Sequence, residues 1–311
     1  MATLAGSTRQ YFLQSDNMND SVASLNSFYA RFERENTTTA VKIPAAPNDP
    51  VNSVSEPNVR LSLKRVNPRK AKGPNGVPGK ALKTCANQRA GILKDTFNLS
   101  LPQAEVPTCF KRATIIPVPK KNNVGCLNDY RPVLLTSTVM KCFERLVMTR
   151  LNSCLSKDLD PLQFDYYHNR PMADTISMAL HMALEHLDNT NTYIRMLFID
   201  YSSAFNTIIP TILIEKLQNL GLCTSLCNLI LNFLTGRPQS VWIGDNIFSL
   251  LTVSTGAPHG VCLVHCSTLY IPLTVWIGIA EVPSINLLMI QPLLVESQVV
   301  MRGCTGVRYA N

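Results

Sequence analysis

Apolar residues in this chain fall mostly at helical spacing, interrupted by a few short runs that read as strands. Val22, Leu25, Phe28, Tyr29 and Phe32 lie three or four residues apart and predict one amphipathic helix in an otherwise polar first stretch. Thr37-Thr38-Thr39 and the Pro44–Pro57 segment read as a linker, and Asn67 to Gly76 as a loop, because proline and glycine interrupt both helix and strand there. A helix is expected from Gly79 to about Leu99. Another spans Thr138–Leu155, with Val139, Cys142, Phe143, Leu146, Val147 and Leu151 on one face. A third spans Thr175–Leu187, with Ile176, Leu180, Ala183, Leu184 and Leu187 apolar. Shorter helices are expected around Ile212–Leu220 and Asn228–Leu234. Thr114–Val118 predicts a strand that enters a turn at Pro119-Lys120-Lys121, and Asp129-Tyr130-Arg131-Pro132 opens the next segment. Tyr193–Ile199 is the clearest strand, and Asp200 ends it. Gly236-Arg237-Pro238 predicts a turn before a hairpin strand at Ser240–Ile247.

Composition narrows the possibilities. The chain has 311 residues, enough for one large domain or two ordinary ones, and is 46% hydrophobic, which excludes wholesale disorder. Its 10 cysteines form no tight framework, so a secreted disulfide scaffold is excluded and the thiols are expected to be reduced and intracellular. The net charge is +8, but it is unevenly placed: Arg60 to Arg131 holds 15 Lys/Arg against 3 Asp/Glu. Such a block is either a solvated face or a surface that tracks phosphates. The composition changes again near Gly260, after which Val261–Ala280 contains no charged residue.

Several residues could carry chemistry. An apolar strand ending in an aspartate followed by small residues presents a carboxylate at a sheet edge, so Asp200 is either a metal ligand or a capping or ion-paired residue. Arg131 is either a surface residue or a phosphate clamp, since its planar fork grips oxygens in pairs. Cys223/Cys227 and Cys262/Cys266 share a spacing that suggests zinc, but neither pair has a convincing partner pair. Val261–Ala280 has the length of a bilayer span, yet it holds His265, Ser267, Thr268, Pro272 and Thr274 and lacks a closely flanking basic cluster.

Taken in order, the segments resemble the reverse transcriptase of non-LTR (LINE-type) retrotransposons. The matching stretches are RVNPRKAKGPNGVPG at Arg65–Gly79, VPTCFKRATIIPVPKKN at Val106–Asn122, LNDYRPVLLTSTVMKCFERLV at Leu127–Val147, LDPLQFDYYHNR at Leu159–Arg170, YIRMLFIDYSSAFNTI at Tyr193–Ile208, LTGRPQSVWIG at Leu234–Gly244 and STGAPHG at Ser254–Gly260. The resemblance implies an α/β (α+β palm) right-hand polymerase fold. It divides the chain into a polar segment and linker (1–59), basic fingers (60–158), a partial palm (159–260) and a non-homologous tail (261–311), with no thumb. It implies RNA template, DNA primer and deoxynucleoside triphosphates as partners, and Mg2+ as cofactor. Asp200 matches the first metal ligand and catalytic aspartate. Arg131 matches the triphosphate-contacting arginine. Phe205 matches the steric gate, and Gly256, Ala257, Pro258, His259 and Gly260 match the loop beneath the nucleotide, where the family usually has glutamine in place of His259. Nucleic-acid contacts are expected from Lys64, Arg65, Arg69, Lys70, Lys72, Lys111, Arg112, Lys120 and Lys121 of the basic block.

The departures are equally specific. The family's second metal motif, FADD, is missing, no Asp-Asp pair occurs, and no aspartate follows Asp245. A two-metal phosphoryl transfer needs three carboxylates, so the chain as it stands is expected to be inactive, to keep nucleic-acid binding at most, and to leave its truncated palm sheet with an unpaired edge. A shift of reading frame is the expected cause of the break. If Leu287 is TTG and Leu288 is CTG, Asn286-Leu287-Leu288-Met289-Ile290 read one frame over permits TTT-GCT-GAT-GAT, which is Phe-Ala-Asp-Asp. The same shift across Gly260–Thr268 permits Cys-Val-Leu-Ser-Pro-Leu-Leu-Tyr, the family's continuation of the loop.

Overall fold

A computed structural model describes residues 18–35, 40–44, 53–154, 172–190, 193–200, 204–243, 246–258 and 297–304. The chain divides into two compact units that are not contiguous in sequence: residues 1–155 with 205–264, and residues 156–204 with 265–311.

The first unit is built on a four-stranded mixed sheet. Its strands are β1 (Ala113–Pro119), β2 (Tyr130–Thr136), β4 (Arg237–Ile243) and β5 (Asn246–Val253), in the spatial order β2-β1-β4-β5. β1 runs antiparallel to β2 and parallel to β4, and β4 runs antiparallel to β5. Prolines inside β1 and β2 are tolerated because of the register. Pro117 faces Pro132, and two prolines cannot exchange ladder hydrogen bonds, so theirs is a non-hydrogen-bonded pair. Alternation then makes Val118 and Arg131 a hydrogen-bonded pair, and the Lys120 N–H donating to the Asp129 carbonyl at 2.8 Å keeps the same phase. β2 is an edge strand, where the missing amide of Pro132 blunts an exposed edge.

The alternation that sets this register also gives the sheet two unlike faces. Leu25 of helix α1 (Met18–Tyr29) packs with Ile115, Tyr130 and Val241, flanked by Phe28, Leu134 and Ile243, and all of these are buried or half-buried. Beyond the sheet, α2 (Glu56–Lys64) packs on α4 (Ala86–Gln103) and α6 (Thr138–Cys154), and α4 also packs on α9 (Thr224–Leu234). Phe97 and Phe143 stack at 4.5 Å between centroids in this helical core. Two short helices, α3 (Gly79–Thr84) and α5 (Thr108–Lys111), and α8 (Pro210–Asn219) complete the unit.

The expected helix from Gly79 to Leu99 is thus two helices divided at Cys85. The linker expected up to Pro57 gives way to α2 from Glu56. Its proline lies in the first helical turn, where the missing N–H would be unpaired anyway.

In the second unit, α7 (Met172–Leu187) packs on β3 (Tyr193–Asp200). β3 pairs along its whole length with β6 (Ser297–Cys304), antiparallel, with Ser297 opposite Asp200. One edge of β3 is therefore occupied by a strand from the tail. Among the described residues, no helix is long and apolar enough to cross a membrane. Residues 261–280, which carried the membrane reading, lie outside the described residues. So do Cys262 and Cys266 of the zinc reading, while Cys227 is buried in the core.

Candidate functional site

Two of the basic residues expected to contact nucleic acid, Lys72 and Arg112, line the open face of the sheet, and Arg131 projects from the same face. Tyr130 is buried and Pro132 turns to the α1 side, so Arg131 between them projects from the opposite face and is exposed. Its backbone is fixed on both sides, by the ladder to Val118 and by the loop before it. In that loop Asp129 accepts the N–H groups of Gly125 (2.9 Å) and Cys126 (3.1 Å) and pairs with Lys121 Nζ at 2.9 Å. These donors hold the Asp129 carboxyl well below the usual carboxylate range, the Gly125 amide first.

Alongside, a groove of about 480 Å³ is lined by Lys72, Gly73, Pro74, Gly76, Arg112, Thr114, Leu135, Ser240, Trp242 and Leu250. Its rim holds two exposed cations, Lys72 and Arg112, and its lining contains no carboxylate. Val118, Val133, Trp242 and Leu250 leave 37–52% of their surface exposed, an unusual concentration of apolar side chains on a sheet outside the core. The loop over the groove is seated by Gly73, where a side chain would run into the Thr136 carbonyl, and by the Asn75 amide donating to Ser137 Oγ at 3.4 Å.

The remaining basic residues separate into classes. Lys64, Arg65, Arg69, Lys70 and Lys120 are exposed, and so is Lys121 despite its pairing with Asp129. Arg65 lines a second groove together with Arg145 and Arg150. Lys111 departs from the expected nucleic-acid set. It is buried, and its ammonium donates to the carbonyls of Asn232 (2.7 Å) and Thr235 (3.3 Å) at the C-terminal end of α9. Lysine is favourable at that end of a helix, where carbonyls lack intrahelical partners. Burial lowers its pKa.

The structure does not bring the residues matched to the nucleotide site together: Arg131 projects from the open face, whereas Phe205 and the loop at Gly256–Pro258 lie on the other side of the sheet. The Ala257 N–H donates to the Phe205 carbonyl and the Gly256 N–H to the Ile208 carbonyl, each at 2.7 Å. Gly256 has φ +71°, and a Cβ there would stand 2.7 Å from the Asn206 carbonyl oxygen, so both its handedness and its contact require glycine. Gly256, Ala257 and Pro258 are buried and Phe205 is half-buried. In this arrangement the loop acts as a seat for the Phe205 turn, its own surface being covered. Asn206, Ala257 and Pro258 share a small cavity of about 50 Å³ with Tyr29, Glu33, Pro132 and Arg237. His259 and Gly260 lie outside the described residues. Asp200 ends β3 in the second unit.

Sequence patterns alone missed Glu33, Trp242 and Arg237. A signal existed for Arg237: it is the only charged residue between Lys216 and Asp245, and a lone charge in an apolar stretch is a candidate for burial with dedicated partners.

Residues 118–271 match the family model of reverse transcriptase (RNA-dependent DNA polymerase). The chain carries a reverse transcriptase domain. Its relatives include the RNA-directed DNA polymerase from mobile element jockey of Drosophila melanogaster, 24% identical over 214 residues, which are 68% of this chain and 23% of that protein. The jockey polymerase of Drosophila funebris is 26% identical over 214 residues, with the same coverage of 68% and 23%. A retrovirus-related Pol polyprotein from a type-2 retrotransposable element of Drosophila melanogaster is 24% identical over 212 residues, 67% of this chain and 19% of that protein. The chain thus spans about a quarter or less of the length of these relatives. The reverse transcriptase match runs past the Ser254–Gly260 motif to residue 271.

Reverse transcriptase domains generally use divalent metal ions. Among the described residues, the donor set does not make up a paired-metal site. No group of three His, Cys, Asp or Glu side chains converges among the described residues, and the sequence supplies no aspartate after Asp245 to join Asp200.

Proposed function

We propose that this reverse transcriptase domain grips single-stranded RNA on the open sheet face and does not polymerise. The observation that carries this reading is the combination on that one face of Trp242, exposed apolar neighbours and the cations Lys72, Arg112 and Arg131, with no carboxylate lining the groove. Bases stack on aromatic and apolar surface while phosphates pair with cations, and such binding tolerates any sequence. Lys64, Arg65, Arg69, Lys70, Lys120 and Lys121 extend the positive field around it, and Lys111 takes no part. In the right-hand description, the basic part of the first unit corresponds to fingers and β3 to the palm strand.

Phe205 is the proposed gate against a 2′-hydroxyl, set in place by Gly256, Ala257 and Pro258, with His259 and Gly260 continuing the loop. Asp200 is the one metal carboxylate of the three that the family's chemistry requires. With a single carboxylate, Mg2+ would lack the ligands that pair two ions on a primer hydroxyl and a leaving pyrophosphate. Nucleotide and RNA are bound, and synthesis does not follow.

The test is primer extension on an RNA template with Mg2+, run beside a gel-shift assay on the same template. Retained RNA with no extension is the expected result. Template-dependent product that disappears in Asp200→Ala would overturn the proposal. The frame shift proposed for the missing aspartates is tested by sequencing the gene from codon 254. Third-position G at the codons of Leu287 and Leu288 is expected, and any other base there would sink it.

A further inference from the structure

Two charged residues with no assigned role enclose the turn on which Phe205 rests. Glu33 lies in the 3₁₀ turn Arg31–Glu35, which Arg31 stiffens by stacking its guanidinium over Phe28 at 4.0 Å and Phe32 at 4.3 Å. One carboxylate oxygen of Glu33 accepts the N–H groups of both Ser254 and Thr255 at 2.8 Å. From the other side, buried Arg237 donates through Nη2 to the carbonyls of Thr255 (2.6 Å) and Gly256 (2.8 Å), while its Nε donates to Leu234 at the end of α9 (2.9 Å). Burial lowers the Arg237 pKa to about 10, with Glu33 opposing the shift, so the guanidinium stays charged at neutral pH.

The two side chains together fix the peptide groups from Ser254 to Gly256. The next two amides in line, those of Gly256 and Ala257, are the ones that donate to Ile208 and Phe205. The turn is therefore held by the two charged side chains at Ser254, Thr255 and Gly256 and by the Phe205 segment at Gly256 and Ala257. Glu33 belongs to a part of the chain that precedes the family match at residues 118–271, and no motif pointed to it.

We propose that Glu33 and Arg237 are positioning residues that hold the Phe205 turn in place and so set the preference of the nucleotide site for a sugar without a 2′-hydroxyl. The inference rests on the role proposed above for Phe205. A glutamate suits this task because a single oxygen can accept two adjacent amides, and charge-assisted bonds are about twice as strong as neutral ones. An arginine suits it because its rigid fork reaches several carbonyls at once.

The experiment uses the full chain and its Glu33→Ala and Glu33→Gln variants. Hydrogen exchange of the amides at 254–257 reads the turn, and fluorescent dATP and ATP analogues read the sugar preference. Gel-shift affinity for RNA on the open face serves as the control for folding. In Glu33→Ala, the amides of Ser254 and Thr255 are expected to exchange on the order of tenfold faster, and those of Gly256 and Ala257 to follow them. The preference for dATP over ATP should fall about tenfold, with RNA affinity retained. Glu33→Gln keeps an acceptor oxygen and should lie between Glu33→Ala and the unaltered chain, which preserves the test if Glu33→Ala does not fold. Unchanged protection at Gly256 and Ala257, or an unchanged sugar preference despite faster exchange, would overturn the inference. Equal affinity of the unaltered chain for both nucleotides, or for neither, would instead overturn the reading of Phe205 on which it rests.

Discussion

Lys111 and Arg112 are neighbours in sequence and opposites in the fold. Lys111 points inward and closes the end of α9, while Arg112 points outward and lines the groove beside Trp242. The same division runs through the whole basic complement: Arg237 is buried among carbonyls, and Lys72 and Arg131 are exposed on the open sheet face. A count of positive charges treats these alike. Physically they differ, because a buried cation has exchanged water for fixed carbonyls and an exposed one remains available to a polyanion.

The contrast can be broken most forcefully at Arg237. Arg237→Leu strands the carbonyls of Leu234, Thr255 and Gly256 in the interior, and a loss of about 3 kcal/mol in urea-unfolding stability is expected. A change under about 0.5 kcal/mol, the range typical of surface sites, would show that the buried network is dispensable. Lys111→Met should cost less, about 2 kcal/mol, while leaving RNA affinity unaltered. Arg112→Ala should do the reverse, keeping stability and lowering both RNA affinity and its salt slope, the slope by about one counterion. If the two variants behaved alike, the division between inward and outward cations would be void.

Trp242→Ala sharpens the exposed side of the comparison. Stacked bases contribute about 1–3 kcal/mol each to binding, so RNA affinity should drop roughly tenfold or more, with little change in salt slope because no charge is removed. An equal drop in slope would assign Trp242 to the shape of the groove rather than to stacking.

The smallest effect is expected at Asp129. Its folded pKa is depressed, so its contribution to stability is present above the unfolded carboxylate value, about 4, and is lost as pH falls through the folded value. The difference in melting temperature between the unaltered chain and Asp129→Asn should therefore be largest near neutral pH and shrink as the solution is acidified below about pH 4. A difference that stays constant from pH 7 down to strong acid would remove Asp129 from the placement of Arg131.

Much of this was legible in the sequence because the patterns were local. Helix α6 follows the stripe from Val139 to Leu151, and β3 follows the apolar run that ends at Asp200. Helix α2 was hidden by Pro57, which reads as a breaker although the first turn of a helix accepts it. The division of α3 from α4 carries no proline or glycine to announce it. Phe205 and the loop at Gly256 each stand in a contiguous motif that the sequence made visible, and the fold brings the two stretches into backbone contact. The supports of that loop were not visible, because Glu33 and Ser254 lie 221 residues apart and meet only in the fold. Lys111 and Arg112 could not be told apart for the same reason: only the position of α9 decides which of the two faces inward.

The most direct test of the central claim is the affinity of the full chain for a single-stranded RNA of arbitrary sequence, measured from low to physiological salt beside a variant carrying Lys72→Ala, Arg112→Ala and Trp242→Ala. The account predicts tight binding at low salt, a steep linear fall of log affinity with log salt, and a variant that binds weakly throughout with a shallower slope. Binding that ignores salt, or a variant that binds as the unaltered chain does, would contradict it.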